Sequence, residues 1–162
     1  MKIIVADSST LIALLDTDNF GVIFKLFDQI IISDVVYQEV IYTGEHQAII
    51  NRHIEQSQID KQVIEYNELY EMLIKRLDRG EAESIVLAKK TGLPLLIDEK
   101  KGRSIAKSLG VSIIGLIGII LQLIKTDKIS KQEAIEIVKQ VEDNNFRLSD
   151  GLKALIYNCL SP

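Results

Sequence analysis

Short, nearly all-apolar runs rich in Ile, Val and Leu alternate along this chain with longer amphipathic stretches, and that alternation restricts its fold more than any other feature. Lys2 to Ala6, Gln29 to Ile32, Leu93 to Ile97 and Val111 to Ile114 show no in-and-out periodicity and end at polar or glycine punctuation, so each reads as a strand covered on both faces. Gln58 to Ile64 carries Ile59, Val63 and Ile64 without clean alternation; it is either a third strand or an extended loop. Between the runs lie stretches with helical spacing: Leu11 to Leu15, Phe20 to Phe27, Val35 to Tyr42, a weakly marked segment from Gly44 to about Ser57, Asn67 to Leu77, Gly80 to Lys90 and Lys100 to Leu109. Leu116 to Lys125, Lys131 to Glu142 and Leu148 to Leu160 finish the chain as three further helices. Strands joined through helices pair in parallel, because each connection has to cross back over the sheet, and the fold class is therefore α/β.

At 162 residues the chain has the length of one compact domain, and 47% hydrophobic with 26% charged residues is globular usage. We read a single domain over residues 1–162, with a core of about residues 1–128 and C-terminal helices over about 129–160; only the last residue or two looks loose. The single cysteine, Cys159, has no partner for an internal disulfide, and no targeting segment opens the chain, so the expected location is cytoplasmic. Val111 to Ile124 is the most apolar stretch, but it is shorter than the ~20 residues of a membrane span and is broken by Gly115, Gly118 and Gln122. A net charge of −4 excludes binding of nucleic acid through a broad basic face. It is compatible with carboxylates that converge on a divalent cation, whose charge the formal count omits.

In a parallel sheet, ligands bind beyond the carboxyl ends of the strands. Two such positions are acidic here: Asp7 follows Ile3-Ile4-Val5-Ala6, and Asp98-Glu99 follows Leu95-Leu96-Ile97. Either aspartate equally fits the place of a helix cap, although Ser8, Ser9 and Thr10 offer alternative caps after the first strand. Glu39 sits among valines in Val35-Val36-Tyr37-Gln38-Glu39-Val40, where a carboxylate is costly unless something pairs with it. Glu81 and Glu83 lie in Gly80-Glu81-Ala82-Glu83-Ser84, where a helix start favours negative charge, and Asp78 with Glu81 has capping-box spacing. Glu81 shares a stripe with Ile85 and Ala88, so it is preferred over Glu83 as the functional residue. His46 and His53 stand near no strand-end serine, and no glycine-rich phosphate loop occurs. What survives is a purely carboxylate set, suited to a hard cation such as Mg²⁺ or Mn²⁺.

The order of these pieces resembles a known family. A first strand followed by Asp-Ser-Ser, the Val-Val-x-Glu-Val helix, Gly-Glu-Ala-Glu-Ser-Ile-Val-Leu-Ala, Leu-Pro-Leu-Leu-Ile-Asp-Glu-Lys-Lys-Gly-Arg and Val-Ser-Ile-Ile-Gly look like a PIN domain, in a prokaryotic branch related to VapC-type toxin ribonucleases. The likeness spans about Ile3 to Lys128. It implies a three-layer α/β/α sandwich around a mostly parallel sheet of four to five strands, with extra C-terminal helices here. It also implies Mg²⁺- or Mn²⁺-dependent hydrolysis of RNA by Asp7, Glu39, Glu81 and the Asp98-Glu99 pair as catalytic and metal-holding residues, with Ser9 and Glu83 in support. Counted from Glu81 without gaps, the family's last acidic position falls on Glu99, with Asp98 beside it, and the sequence leaves open which of the two is the principal ligand.

Lys100, Lys101, Arg103 and Lys107 follow that turn and either guide RNA or form a solvated basic helix face; Arg103, one helical turn beyond Glu99, can grip phosphate with two parallel hydrogen bonds. By analogy, a small antitoxin protein and a homodimer formed through apolar helix surfaces are the expected partners. The alternative is a catalytically weakened PIN module that binds RNA or a protein without cutting. A phosphatase ranks last, since Ser9 stands where a second aspartate is needed.

Overall fold

The computed structural model describes residues 1–160, so the loose end expected at the last residue or two falls on 161–162, outside the described residues. Strands β1 (Ile3–Ala6), β2 (Gln29–Ser33), β3 (Ile59–Gln62), β4 (Leu95–Leu96) and β5 (Ile113–Ile114) form one sheet in the order β3-β2-β1-β4-β5. Every pairing is parallel. The segment left open as strand or loop is thus the edge strand β3, held by the match of Ile30 with Ile59 and Ser33 with Gln62.

Because successive side chains in a strand point to opposite faces, each strand contributes to two cores. Ile4 and Ala6 of β1, Ile30 and Ile32 of β2 and Leu96 of β4 join one; Val5, Ile31, Leu95 and Ile97 join the other. The first core is covered by α1 (Ser8–Asp16), a 3-10 helix (Phe20–Lys25), α2 (Asp34–Ile41), α3 (Gln47–Glu55), α7 (Leu116–Lys125), α8 (Lys131–Asp143) and α9 (Asp150–Leu160). The second is covered by α4 (Glu68–Leu73), α5 (Arg79–Thr91) and α6 (Lys100–Ser108). The result is the three-layer α/β/α arrangement. Among the described residues, no helix is long and apolar enough to cross a membrane.

Three helices are shorter than their patterns. Phe20 to Phe27 closes as a 3-10 helix, with the Leu26 and Phe27 amides both turning back to the Ile23 carbonyl. The weak segment after Gly44 becomes helical only at Gln47, because Gly44 sits at φ +79° and breaks the path out of α2. The stretch to Leu77 is helical only over Glu68–Leu73 and then turns, which lets Asp78 begin α5 anew.

Candidate active site

Asp7 leaves the carboxyl end of β1, and its amide donates to the Leu96 carbonyl of β4 (2.9 Å), which fixes it where the central strands end. It occupies the N-cap position of α1, yet its side chain makes no capping hydrogen bond. The neighbouring hydroxyls are engaged elsewhere: Ser8 donates to Glu39 Oε2 (2.8 Å), and Thr10 donates to Asp98 Oδ2. Asp7 is only 3% exposed, and its Oδ1 is the single buried side-chain oxygen or nitrogen among the described residues with no hydrogen-bond partner. A buried, unpaired carboxylate oxygen is costly to the fold and asks for a ligand.

Glu39 reaches the same place from α2, a helix that Ser33 starts by accepting from the Val36 amide. Its carboxylate rests on the first turn of α5, and Gly80 makes this possible: any Cβ there would overlap Glu39 Oε1. Glu81 follows on α5, after Asp78 has capped that helix by accepting from the Glu81 amide (2.8 Å). Glu99 is the residue that caps α6, accepting from the Gly102 amide at Oε2 (2.7 Å).

The carboxylates repel one another, and their proton affinities record it. Burial, above all, pushes Asp7 up to about 7; the Ser8 amide eases this, and Glu81, Asp78 and Glu39 add repulsion. Glu81 is also pushed up to about 7, first by burial and then by Asp78, Glu99 and Glu39. Glu39 is raised by burial, relieved by the Ser8 hydroxyl, and raised again by Asp78 and Glu83. Asp7, Glu39, Asp78, Glu81 and Glu99 thus form one electrostatic cluster gathered from the starts of α1, α5 and α6 and from α2.

Asp98 and Glu83 are placed differently. Asp98 turns toward the neighbouring helices, where it accepts from Thr10 of α1 and from the Leu116 amide at the start of α7 (3.1 and 3.2 Å). Burial raises it, while Thr10, Leu116 and the nearby Arg103 hold it down. Gly115 leaves room for this contact, since a Cβ there would lie 2.5 Å from Asp98 Oδ1. Asp98 therefore ties β4 to α1 and α7 rather than capping α6. Glu83 is buried on an α5 whose first turns are enclosed all round, and it accepts from the Tyr66 hydroxyl (3.0 Å).

Ser9 is exposed and lines, with Asp98 and Glu99, a groove of about 1130 Å³ that also takes in Lys100, Lys107 and Arg147. Arg103 lines it too, but its Nη1 donates to the Ile97 carbonyl (2.8 Å), so it is partly committed to the backbone. Lys101 is exposed and off this groove. Sequence reasoning missed Thr10, Gly80 and Arg147. Gly80 carried a signal, a glycine in the first turn of a helix where alanine would be the better helix former, but its use depends on Glu39 arriving from another element.

These donors fit a hard divalent cation. All are carboxylates, one buried oxygen lacks any partner, and the mutual repulsion is of the kind a cation relieves. The cluster is open: among the described residues, the trio whose ligand atoms all lie within 4.8 Å of one another is Asp16, Glu45 and His46, at the far end of α1. An open carboxylate set suits a hard cation that keeps part of its water shell better than an ion that needs a closed protein cage.

A family model described as a PIN domain matches residues 3–161. A PilT N-terminus domain protein from the hyperthermophilic archaeon Sulfolobus solfataricus P2 has a similar fold, with a TM-score of 0.53 and 17% sequence identity, over 75% of this chain and 92% of that one. A comparison with curated proteins returns no match.

Proposed function

Because this chain belongs to the PIN-domain family, we propose that it is a Mg²⁺- or Mn²⁺-dependent endoribonuclease whose ion is held by Asp7, Glu39, Glu81 and Glu99. The observation that carries the reading is the buried, unpartnered Asp7 oxygen at the centre of a cluster of mutually repelling carboxylates. A divalent cation there supplies charge to offset that growing on the scissile phosphate and acidifies the attacking water. Asp7, fixed by its amide to β4, and Glu39, fixed by Ser8, orient the donor atoms. Lys100, Lys107 and Arg147 draw the phosphate backbone along the groove toward Glu99, as local cations on an acidic chain. Water attacks phosphorus as the bond to the 3′ oxygen breaks, leaving 5′-phosphate and 3′-hydroxyl ends.

The test is cleavage of a labelled RNA by purified protein with Mn²⁺, with EDTA, and by the Asp7→Asn variant. Cleavage in Mn²⁺ alone supports the enzyme. RNA that is bound but left intact under all three conditions supports a non-cutting binding module instead, a reading favoured by the engagement of Glu99 as the α6 cap. A toxin role is the further extension of this reading: a small protein encoded beside this gene should then bind the chain and suppress cleavage.

A further inference from the structure

A second cavity, of about 580 Å³, meets the carboxylate cluster at its Glu39 end and shares no lining residue with the basic groove beside Glu99. Besides Glu39, its walls include Val35, Gln38, Tyr42 and Arg79. Tyr42, at the end of α2, is 89% exposed. A single exposed aromatic is ordinary on a protein surface. Its setting is not, because this ring shares a cavity with a carboxylate of the site and with a cation whose place is fixed. Arg79 Nη2 donates to the Tyr66 hydroxyl (3.0 Å), and the Tyr66 ring is stacked on that of Tyr70 at 3.9 Å with planes 5° apart. The acid at the cavity rim, Asp34, is paired with Lys61 (3.5 Å).

We infer that this cavity is a nucleotide subsite: the base next to the scissile phosphate lies on the Tyr42 ring, and its backbone phosphate faces Arg79. The inference rests on the ribonuclease reading. A strand guided by the basic groove reaches the carboxylates at Glu99, and once past them at Glu39 it enters the Tyr42 cavity. An aromatic face accepts any base, so Tyr42 supplies affinity without sequence preference. Gln38 supplies preference, since its amide offers both donors and an acceptor to a base edge in the same cavity. The negative charge of Glu39 does not repel the strand there once the cation is bound.

The experiment measures binding of a single-stranded RNA octamer to the full chain carrying Asp7→Asn in saturating Mn²⁺, so that the remaining carboxylates hold the ion while the RNA stays intact. The adenine analogue 2-aminopurine is placed at each position in turn. One position should lose fluorescence on binding. Adding Tyr42→Ala should restore that fluorescence and weaken binding by about 5- to 100-fold, whereas Tyr42→Phe should keep both the quenching and the affinity. Because Tyr42 is so exposed, neither change should move the melting temperature. RNA bound equally tightly by the Tyr42→Ala chain, with quenching unchanged, overturns the inference and leaves the ribonuclease reading standing. A parent chain that neither binds nor cuts RNA in Mn²⁺ overturns both.

Discussion

If Asp7 is kept for a cation, the empty protein should be made more stable by removing its charge. Burial and repulsion lift its carboxyl from 3.8 to about 7. A group whose folded pKa lies above its unfolded one contributes stability below the unfolded value, here below about pH 4, and that contribution is lost as pH rises through about 7. Three units at 1.36 kcal/mol each set a ceiling of about 4 kcal/mol on the destabilisation by ionised Asp7 at pH 8. For a chain of this length that corresponds to roughly 10 °C in melting temperature. Asp7→Asn keeps the shape and removes the charge. Thermal melts followed by circular dichroism in EDTA should show the variant melting above the parent at pH 8, with the gap closing near pH 4. Adding Mn²⁺ should raise the parent by more than it raises the variant, which keeps only Glu39, Glu81 and Glu99 for the ion. An Asp7→Asn chain that melts at or below the parent at pH 8 in EDTA would refute the idea that this carboxylate is stored at a cost to the fold.

Gly80→Ala should lower Mn²⁺ affinity by about tenfold or more, read by calorimetry, because its Cβ displaces Glu39, while the helix itself gains from the better helix former. Asp98→Ala should cost about 1–3 kcal/mol of stability in urea melts, since Thr10 and the Leu116 amide lose their acceptor. Glu99→Gln can still accept from Gly102, so it should melt like the parent yet bind Mn²⁺ more weakly; the reverse pattern for these two variants would exchange their assigned roles. Asp7 and Glu81 both titrate near 7 in the free protein, so Mn²⁺ affinity should rise with pH up to that value and level off above it. Calorimetry in buffers of different ionisation enthalpy should find about one to two protons released per ion at pH 6 and almost none at pH 8.5.

The layout of the sheet was legible because apolar runs such as Ile3 to Ala6 and Leu95 to Ile97 are covered on both sides, and a chain can bury such runs only with helices between them. The acidic positions were legible for a related reason, since strand ends in a parallel sheet face the ligand side. Their division of labour was not. Asp98 and Glu99 are adjacent and equally plausible as caps or ligands, and what separates them is the Thr10 hydroxyl and the Leu116 amide, groups 88 and 18 residues away along the chain. Glu83 reads in the sequence as a charge favoured at a helix start, but residues 80–88 of α5 are all buried and Tyr66 donates to the carboxylate. Arg147, separated from Lys107 by helices α7 and α8, joins the basic groove only through folding.

Several local rules are broken at one place, and they are broken together. A side chain at an N-cap position makes no cap, a glycine in the first turn of a helix gives Glu39 its room, and five carboxylates are drawn within repelling range. Stability alone would select against each of these, since a serine cap, an alanine and a neutral side chain are all available substitutes that cost the fold less. Ser130 and Glu133 show that the same chain builds a complete capping box at α8, where no function interferes. Coincident departures of this kind are expected where a site is stored in a fold. A ligand that restores the balance must bring positive charge and accept oxygen donors, and these two requirements are those of a hard divalent cation.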